Sequence, residues 1–372
     1  MKFKITAQTL LTELALLAGV AANNKSNTMP VLQNVIIASE GNNALKISAT
    51  DLDVTLSCQV EASISEPGTI LVPIAKLLAI TKSLPKTADM AFRSLDDGGA
   101  QLTCERSNFK LLAPEAGSFP ELKPPQKGAI EIPTNIFASM INSTIFAITQ
   151  EESRYTLSGA KVEIDTTGIK MVTTDGHRLA KAENKNITSE TRVDVLVPRK
   201  ALAELTKICA AHQGVISFSL DENHIYFEIG SRSLSSRLLF GQFPNYEMVI
   251  PKNNDRSFTI DIPTIREALK RVSLMADERS HAVRLDIKPG QLHFTASTPD
   301  DGEATEIIPI EFEGEELAIG FNSQYLLDSF NSLNAYDQAT MSFKDGNSQV
   351  MIFPAVAAAA NDTLTVVMPL RI

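Results

Sequence analysis

The chain has 372 residues, 44% hydrophobic and 21% charged, with a formal net charge of −10. That balance is ordinary for a soluble protein, and no run reaches the eighteen apolar residues a membrane-spanning helix needs. The net charge argues superficially against nucleic acid, but attraction of phosphate depends on the potential of one face and not on the whole-chain sum.

The first segment, Phe3-Lys4-Ile5-Thr6, reads as a strand leading into a helix with Leu10, Leu14, Leu17 and Ala21 on its apolar side. Val35-Ile36-Ile37 and Leu45-Lys46-Ile47 follow as strands around Glu40-Gly41-Asn42-Asn43, a hairpin signal. A second helix is expected after Val72-Pro73, with Ile74, Leu77, Leu78 and Thr81 along one face. The order then begins again. Ile130-Glu131-Ile132-Pro133 leads to a helix carrying Ile136, Met140, Ile141 and Ile145. Val162-Glu163-Ile164 and Ile169-Lys170-Met171 flank the turn Asp165-Thr166-Thr167-Gly168, and Val197-Pro198 opens a helix with Ala201, Leu202, Leu205 and Ile208. In a third round Phe258-Thr259-Ile260-Asp261-Ile262 precedes Pro263, well placed at a helix start, before Ile265, Ala268, Leu269 and Val272. Val283–Ile287 and Leu292–Phe294 flank Lys288-Pro289-Gly290, and a last helix after Gly320-Phe321-Asn322 carries Tyr325, Leu326, Ser329, Phe330 and Leu333.

One phrase marks each round: Ile-Ser-Ala-Thr-Asp at 47–51, Met-Val-Thr-Thr-Asp at 171–175 and Phe-Thr-Ala-Ser-Thr-Pro-Asp at 294–300. Thr50, Thr174 and Thr298 stand 124 residues apart both times. Ser118-Phe119-Pro120-Glu121 likewise recurs in kind as Gln242-Phe243-Pro244-Asn245. The expected fold is therefore α+β, a threefold repeat in which two helices cover antiparallel sheets. The expected domains are 1–125, 126–250 and 251–372, with linkers at Leu122–Gly128 and Val249–Arg256. Each is of a size that buries its own core without metal or disulfide. Cys58, Cys104 and Cys209 form an odd set among apolar neighbours and are expected as buried thiols in a reducing compartment. With no signal-peptide pattern at the N-terminus, a cytoplasmic location is expected.

Sorting charges by element changes the electrostatic picture. Lys76, Lys82, Lys86, Arg199, Lys200, Lys207, Arg266, Lys270 and Arg271 lie on or beside the expected helices, against Glu13, Glu204, Glu267 and Asp328. Helices sharing a face would then attract a polyanion through contacts that do not read bases. A catalytic reading finds little. Asp175 and His177 could orient one another but lack a nucleophile at a recognisable elbow. The five histidines show no metal-ligand spacing, phosphate-binding glycine loops are absent, and no cofactor is expected. Thr365–Val367 reads as a core strand. Pro369 cannot continue a central strand comfortably, so Met368, Leu370 and Ile372 are expected to line a peptide-binding groove.

Met1-Lys2-Phe3, Met29-Pro30-Val31-Leu32, Ala49-Thr50-Asp51-Leu52-Asp53, Thr174-Asp175-Gly176-His177-Arg178-Leu179-Ala180, Val197-Pro198-Arg199-Lys200, Gly241-Gln242-Phe243-Pro244-Asn245-Tyr246 and Val367-Met368-Pro369-Leu370-Arg371-Ile372 resemble, in order, the signatures of the bacterial DNA polymerase III beta subunit family, the processivity sliding clamps. The resemblance covers essentially the whole chain. It implies a non-catalytic homodimeric ring of six similar domains, with helices lining a hole for duplex DNA and sheets at the rim. DNA-facing residues would be Lys25, Lys76, Lys82, Arg199, Lys200, Lys207, Arg266, Lys270 and Arg271, with Ser26 standing where the family often has arginine. The implied partner groove uses Leu157, Thr174, Gly176, His177, Arg178, Leu179, Pro244, Met248, Val249, Tyr325, Val366, Val367, Met368, Pro369, Leu370 and Arg371. It would take short apolar-anchored peptides of the polymerase III catalytic subunit, the clamp loader, other DNA polymerases and repair proteins. Thr156 after Tyr155 and the pair Glu247-Met248 depart from the family pattern there. Ring closure would set Arg106 and Phe109 against Leu274, Met275, Asp300, Glu303 and Glu306. The alternatives are a monomeric module binding polyanions or peptides without ring closure, and a hydrolase using Asp175 and His177.

Overall fold

Apolar residues at helical spacing produce six α-helices among the described residues. They are α1 (Ala7–Ala21), α2 (Ile74–Ser83), α3 (Thr134–Asn142), α4 (Arg199–Ala210), α5 (Ile262–Val272) and α6 (Ser323–Ser332). The computed structural model describes residues 1–21, 29–122, 130–151, 153–356 and 361–371. Lys25, Ser26, residues 123–128 of the expected linker, and Ile372 fall outside these. Leu10, Leu14 and Leu17 of α1 are buried, as are Ile265, Ala268, Leu269 and Val272 of α5. Helix α5 has the expected proline in its first turn, and the structure adds Asp261 as the cap, accepting from the Thr264 amide. In α3 the buried face is Phe137, Met140 and Ile141, whereas Ile136 is half-buried. Ile145 lies beyond the helix, in a 3-10 turn. Met140 and Ile141 thus face the core as expected, while Phe137 takes the place expected of Ile136, because both are apolar and only packing chooses between them.

The chain gathers into two compact units, Met1–Ala138 with Lys200–Leu238, and Ser139–Arg199 with Leu239–Ile372. In the first, a five-stranded sheet runs Ser63–Glu66, Lys2–Thr6, Asp89–Ser94, Ala100–Cys104, Ser107–Leu111. Its eight-stranded sheet runs Ile130–Pro133, Val215–Leu220, His224–Ile229, Arg232–Arg237, Val54–Glu61, Ala44–Thr50, Asn34–Glu40, Thr69–Pro73. The second unit has an eight-stranded sheet in the order Val193–Pro198, Gly159–Asp165, Gly168–Thr174, Arg178–Asn184, Asp362–Val367, Val350–Pro354, Gln338–Phe343, Arg256–Asp261. Its four-stranded sheet runs Gly302–Pro309, Gln291–Thr298, Ala282–Lys288, Leu317–Asn322.

Both eight-stranded sheets are shared between repeats. Val54–Glu61 pairs with Arg232–Arg237, and Arg178–Asn184 pairs with Asp362–Val367, each antiparallel. No local pattern announces such long-range pairing, and the repeat-by-repeat reading missed it. A buried pair holds the first joint: Glu13 of α1 accepts from Nε and Nη2 of Arg232 at 2.8 and 2.6 Å. Glu13 is thus no surface charge opposing the basic helices, and the same holds for Glu204, which is buried and accepts from Lys207. The three cysteines are buried free thiols.

Candidate partner groove and basic helix faces

The recurring Thr-Asp phrase is a turn device. Thr174 Oγ1 donates to the Arg178 carbonyl at 2.7 Å and accepts from the Gly176 amide at 3.1 Å. Asp175 Oδ1 accepts from the amides of His177 and Arg178 at 2.9 and 3.0 Å. Thr50 and Asp51 repeat this toward Leu52, Asp53 and Val54. Such side-chain caps tie the two strands of a hairpin together. In the third repeat the phrase is altered: Thr298 bonds with Asp301, and Asp300 is exposed.

Asp175 leaves nothing for a catalytic dyad. Its Oδ2 accepts from Arg178 Nε at 3.0 Å, while the His177 ring stacks on Tyr325 with centroids 6.3 Å apart. Arg178 is the hub of the loop. Its Nη1 donates to Asp328 at 2.6 Å and its Nη2 to the Phe146 carbonyl at 2.8 Å. The guanidinium carbon lies 4.4 Å from the Tyr325 ring centroid and 5.2 Å from that of Phe146. Burial, then the Asp175 carboxylate, raises the Tyr325 phenol above its ordinary pKa.

Strand alternation decides what faces outward beside this loop. Leu179 pairs with Val366, Lys181 with Leu364, and Val366 with Met351, so these side chains share one face of the sheet. Val172, Leu179, Leu196 and Val366 form an apolar cluster there with Phe243 and Tyr246 of the 239–250 segment. Leu157, Leu239, Val249, Ile250, Met351 and Leu364 pack on it partly buried. Tyr246 is pinned by donating its hydroxyl to Glu163 at 2.7 Å; burial and that carboxylate raise its pKa. Met248 stands 82% exposed at the margin, and Pro244 and His177 are also exposed.

The C-terminal segment completes the site. The strand ends at Val367, as expected for a core strand. The Met368 amide then donates to the His177 carbonyl at 2.9 Å and that of Leu370 to Gly320 at 2.8 Å. Met368, Pro369 and Leu370 are half-buried and Arg371 is exposed. Leu157, Leu179, Val249 and Val366 are thus brought into one cluster, and Gly176, His177, Arg178 and Tyr325 into the adjoining loop. Thr174 ties the two together, whereas Val367 turns to the opposite face and packs in the core. Val172, Leu196, Phe243, Tyr246, Met351 and Leu364 escaped sequence reasoning, although the alternation of Leu364 and Val366 was a usable signal.

The basic residues sort differently from their sequence reading. Lys76 and Lys82 on α2 are exposed. Lys200 is half-buried and donates to Asp51 and to the Val20 carbonyl, while Lys207 pairs with Glu204 at 2.8 Å. Arg199 donates to the Ile148 carbonyl at 3.0 Å. Lys270 pairs with Glu267 at 2.8 Å. Arg271 grips Glu306 through Nε and Nη2 at 3.0 and 2.5 Å, which holds that carboxyl below its ordinary pKa. The Nε of Arg266 is buried with no hydrogen-bond partner. Much of the apparent excess of positive charge is therefore neutralised within the chain.

The residues expected at ring closure lie on two sheet edges or, for Leu274, Met275 and Asp300, in the turns beside one of them. Phe109 and Arg106 belong to the hairpin ending in Ser107–Leu111, an edge of the five-stranded sheet. Glu303 and Glu306 lie on Gly302–Pro309, an edge of the four-stranded sheet. Asp300 is exposed just before that strand, and Met275 is half-buried. Leu274 is 82% exposed, and Ile307 and Leu112, which sequence reasoning did not single out, are 57% and 61% exposed.

Family models described as the N-terminal, central and C-terminal domains of the DNA polymerase III beta subunit match residues 1–123, 131–245 and 247–371. The chain is similar to the beta sliding clamp of Pseudomonas putida, 35% identical over 378 residues and covering 100% of each. Among solved structures it is similar to the DNA polymerase III subunit beta of Pseudomonas aeruginosa, with a TM-score of 0.90, 34% identity and full coverage of both chains. It is also similar to the DnaN sliding clamp of Bartonella birtlesii bound to griselimycin, with a TM-score of 0.92, 31% identity and full coverage of both.

Proposed function

Because the chain belongs to the DNA polymerase III beta subunit family, the sliding clamps, we propose that two copies close head to tail into a ring that encircles duplex DNA. It is a DNA sliding clamp and a non-catalytic processivity factor. Matching of all three domain models along one chain carries this reading. The domains are proposed at 1–125, 126–250 and 251–372, and the location as the cytoplasm, in keeping with a replication protein whose described helices are all too short or too polar to cross a membrane.

Two sheet edges support closure. Unpaired edge strands template further pairing; half-buried Phe109 lies on one with exposed Leu112 just beyond it, and exposed Ile307 lies on the other with exposed Leu274 in the adjoining turn. Arg106 against Asp300 and Glu303 supplies opposite rim charges. Joining unlike edges twice gives two identical seams about a twofold axis. Enclosure then replaces affinity: the duplex cannot leave sideways, and weak phosphate contacts from Lys76, Lys82, Lys207, Arg266, Lys270 and Arg271 permit sliding. Arg199 and Lys200 act mainly by holding their own loops. Short apolar-anchored peptides of the replicative polymerase, clamp loader and other DNA-processing proteins dock in the groove beside Arg178.

The test compares templates. Protein loaded on nicked circular duplex DNA should remain bound through gel filtration and be released once the circle is cut. Equal loss from circular and linear DNA would overturn the ring and favour a monomeric binding module.

A further inference from the structure

The apolar face of the second unit does not stop at the groove. A cavity of about 440 Å³ lies farther along the same strands, lined by Met351, Phe353, Leu364 and Val356, with Lys181 and Glu183 at its polar side. That volume is in the range of small-ligand and side-chain pockets. Met351 and Leu364 belong to both places, since they also pack on the groove cluster. Val356 is 71% exposed, an apolar side chain with no cover among the described residues. Lys181 and Glu183 bond each other at 2.6 Å, and Asp362, also on the lining, lies 3.8 Å from Lys185, so the charges at the polar side are paired.

We propose that this cavity receives an apolar side chain of the partner peptide that flanks its anchor, so that the docking surface extends along the strands past the groove. The proposal rests on the groove reading and extends it. Leu179, Lys181 and Glu183 alternate along one strand, so the cavity begins two to four residues from the groove floor, roughly 7–13 Å at the rise of an extended strand. A peptide lying extended over the groove reaches it with a residue about three positions from the anchor. An apolar-floored pocket whose charged groups are already paired selects leucine, methionine or an aromatic side chain there, because a charged one would lose hydration over the apolar floor and compete for partners already taken. Continuity of the face argues for a peptide already held next door and against a separate small molecule.

Two fluorescein-labelled ten-residue peptides with a central Leu-Phe anchor provide the test, one with leucine and one with serine three residues to either side. Fluorescence anisotropy on the full chain should show the leucine peptide binding about tenfold more tightly, the gain expected for partial burial of one such side chain. In Val356→Asp, at a surface position that does not threaten folding, and in Phe353→Ser, that ratio should fall to about one while the serine peptide binds as before. Equal binding of both peptides to the unaltered protein overturns the second pocket and leaves the groove standing. A tenfold ratio that survives both substitutions also overturns it, by placing the extra contact elsewhere. If neither peptide binds, the groove reading itself fails and the second pocket falls with it.

Discussion

The two eight-stranded sheets are built alike, yet they present opposite outer faces. Where the second unit has Leu179 opposite Val366 and Lys181 opposite Leu364, the first has Thr55 opposite Ser235 and Ser57 opposite Ser233. Val172 corresponds to Ser48, whose hydroxyl is bonded to that of Ser57 at 2.8 Å. Even the loop contact is conserved between them: the Arg237 amide donates to Asp53, and the Met368 amide to His177, at 2.8 and 2.9 Å. The same backbone therefore carries a hydroxyl-lined surface at one joint and an apolar groove at the other. Backbone repetition supplies the frame of both joints, and under the proposed function a handful of side chains decide which of them recognises a partner.

The sharpest way to break the comparison is to attack what clasps each joint. Arg232→Ala leaves Glu13 buried and unpaired in the first unit, and Arg178→Ala leaves Asp175 and Asp328 without their shared cation in the second. Removing one partner of a buried pair costs about 3–5 kcal/mol, so both should lower the urea midpoint markedly. Arg232→Ala should cost more, because Asp328 is only partly covered. A midpoint unchanged in Arg232→Ala would show that the buried pair is not what holds the first joint.

Next in size is a conversion of one face into the other. Leu179→Thr with Val366→Ser gives the second unit the surface of the first and removes apolar area worth about 1.5–3 kcal/mol per side chain. Peptide affinity should fall at least tenfold by anisotropy, while retention on circular DNA stays intact. Loss of both together would mean that the face supports folding and not recognition.

This contrast also shows what could be seen in the chain beforehand. Helix faces, hairpin turns and the Thr-Asp phrase are local, so spacing alone located α1 to α6, erring in α3 in taking Ile136 for Phe137 and in running on to Ile145. Pairing partners are not local. Asp51 neutralises Lys200 from 149 residues away, and Asp328 reaches Arg178 across 150, so counting charges by helix overstated the free positive charge. Residues that the structure gathers at the proposed groove were legible in the signatures Gly176 to Leu179 and at Val366, whereas Val367, expected beside them, packs in the core. The groove's covering aromatics Phe243 and Tyr246 were not legible, because their role depends on where residues 239–250 lie on the sheet.

Paired and unpaired cations should separate in salt titrations. Each phosphate contact contributes about 0.9 to the slope of log affinity against log salt. Lys76→Ala and Lys82→Ala should each reduce the slope for duplex DNA by nearly that much, and Lys200→Ala by clearly less, since Asp51 already balances its charge. Equal slopes for all three would show that Asp51 releases Lys200 when DNA is present. Acid titration probes the exposed pair of Arg271 and Glu306 more gently. Because Arg271 depresses the Glu306 pKa, the pair stabilises the fold above the ordinary carboxylate value of 4.5 and loses that contribution as pH falls through the lowered one. Glu306→Gln should therefore cost a little stability near neutrality, a loss that disappears at acid pH, and so flatten the chain's stability over that range.

The smallest effect concerns the turn at the two joints. Leu52 and Gly176 occupy matching positions with φ of 81° and 87°. Glycine enters that left-handed region freely, whereas a side chain with Cβ costs about 1–2 kcal/mol. Gly176→Leu should therefore destabilise the second unit by about 1 kcal/mol. Leu52→Gly should be close to neutral, because relief of strain is offset by the extra freedom glycine gives the unfolded chain. Denaturant melts of the two variants measure this asymmetry directly. If Leu52→Gly costs as much as Gly176→Leu, then the half-exposed Leu52 side chain makes contacts that outweigh its strain, and the two turns are alike in backbone only.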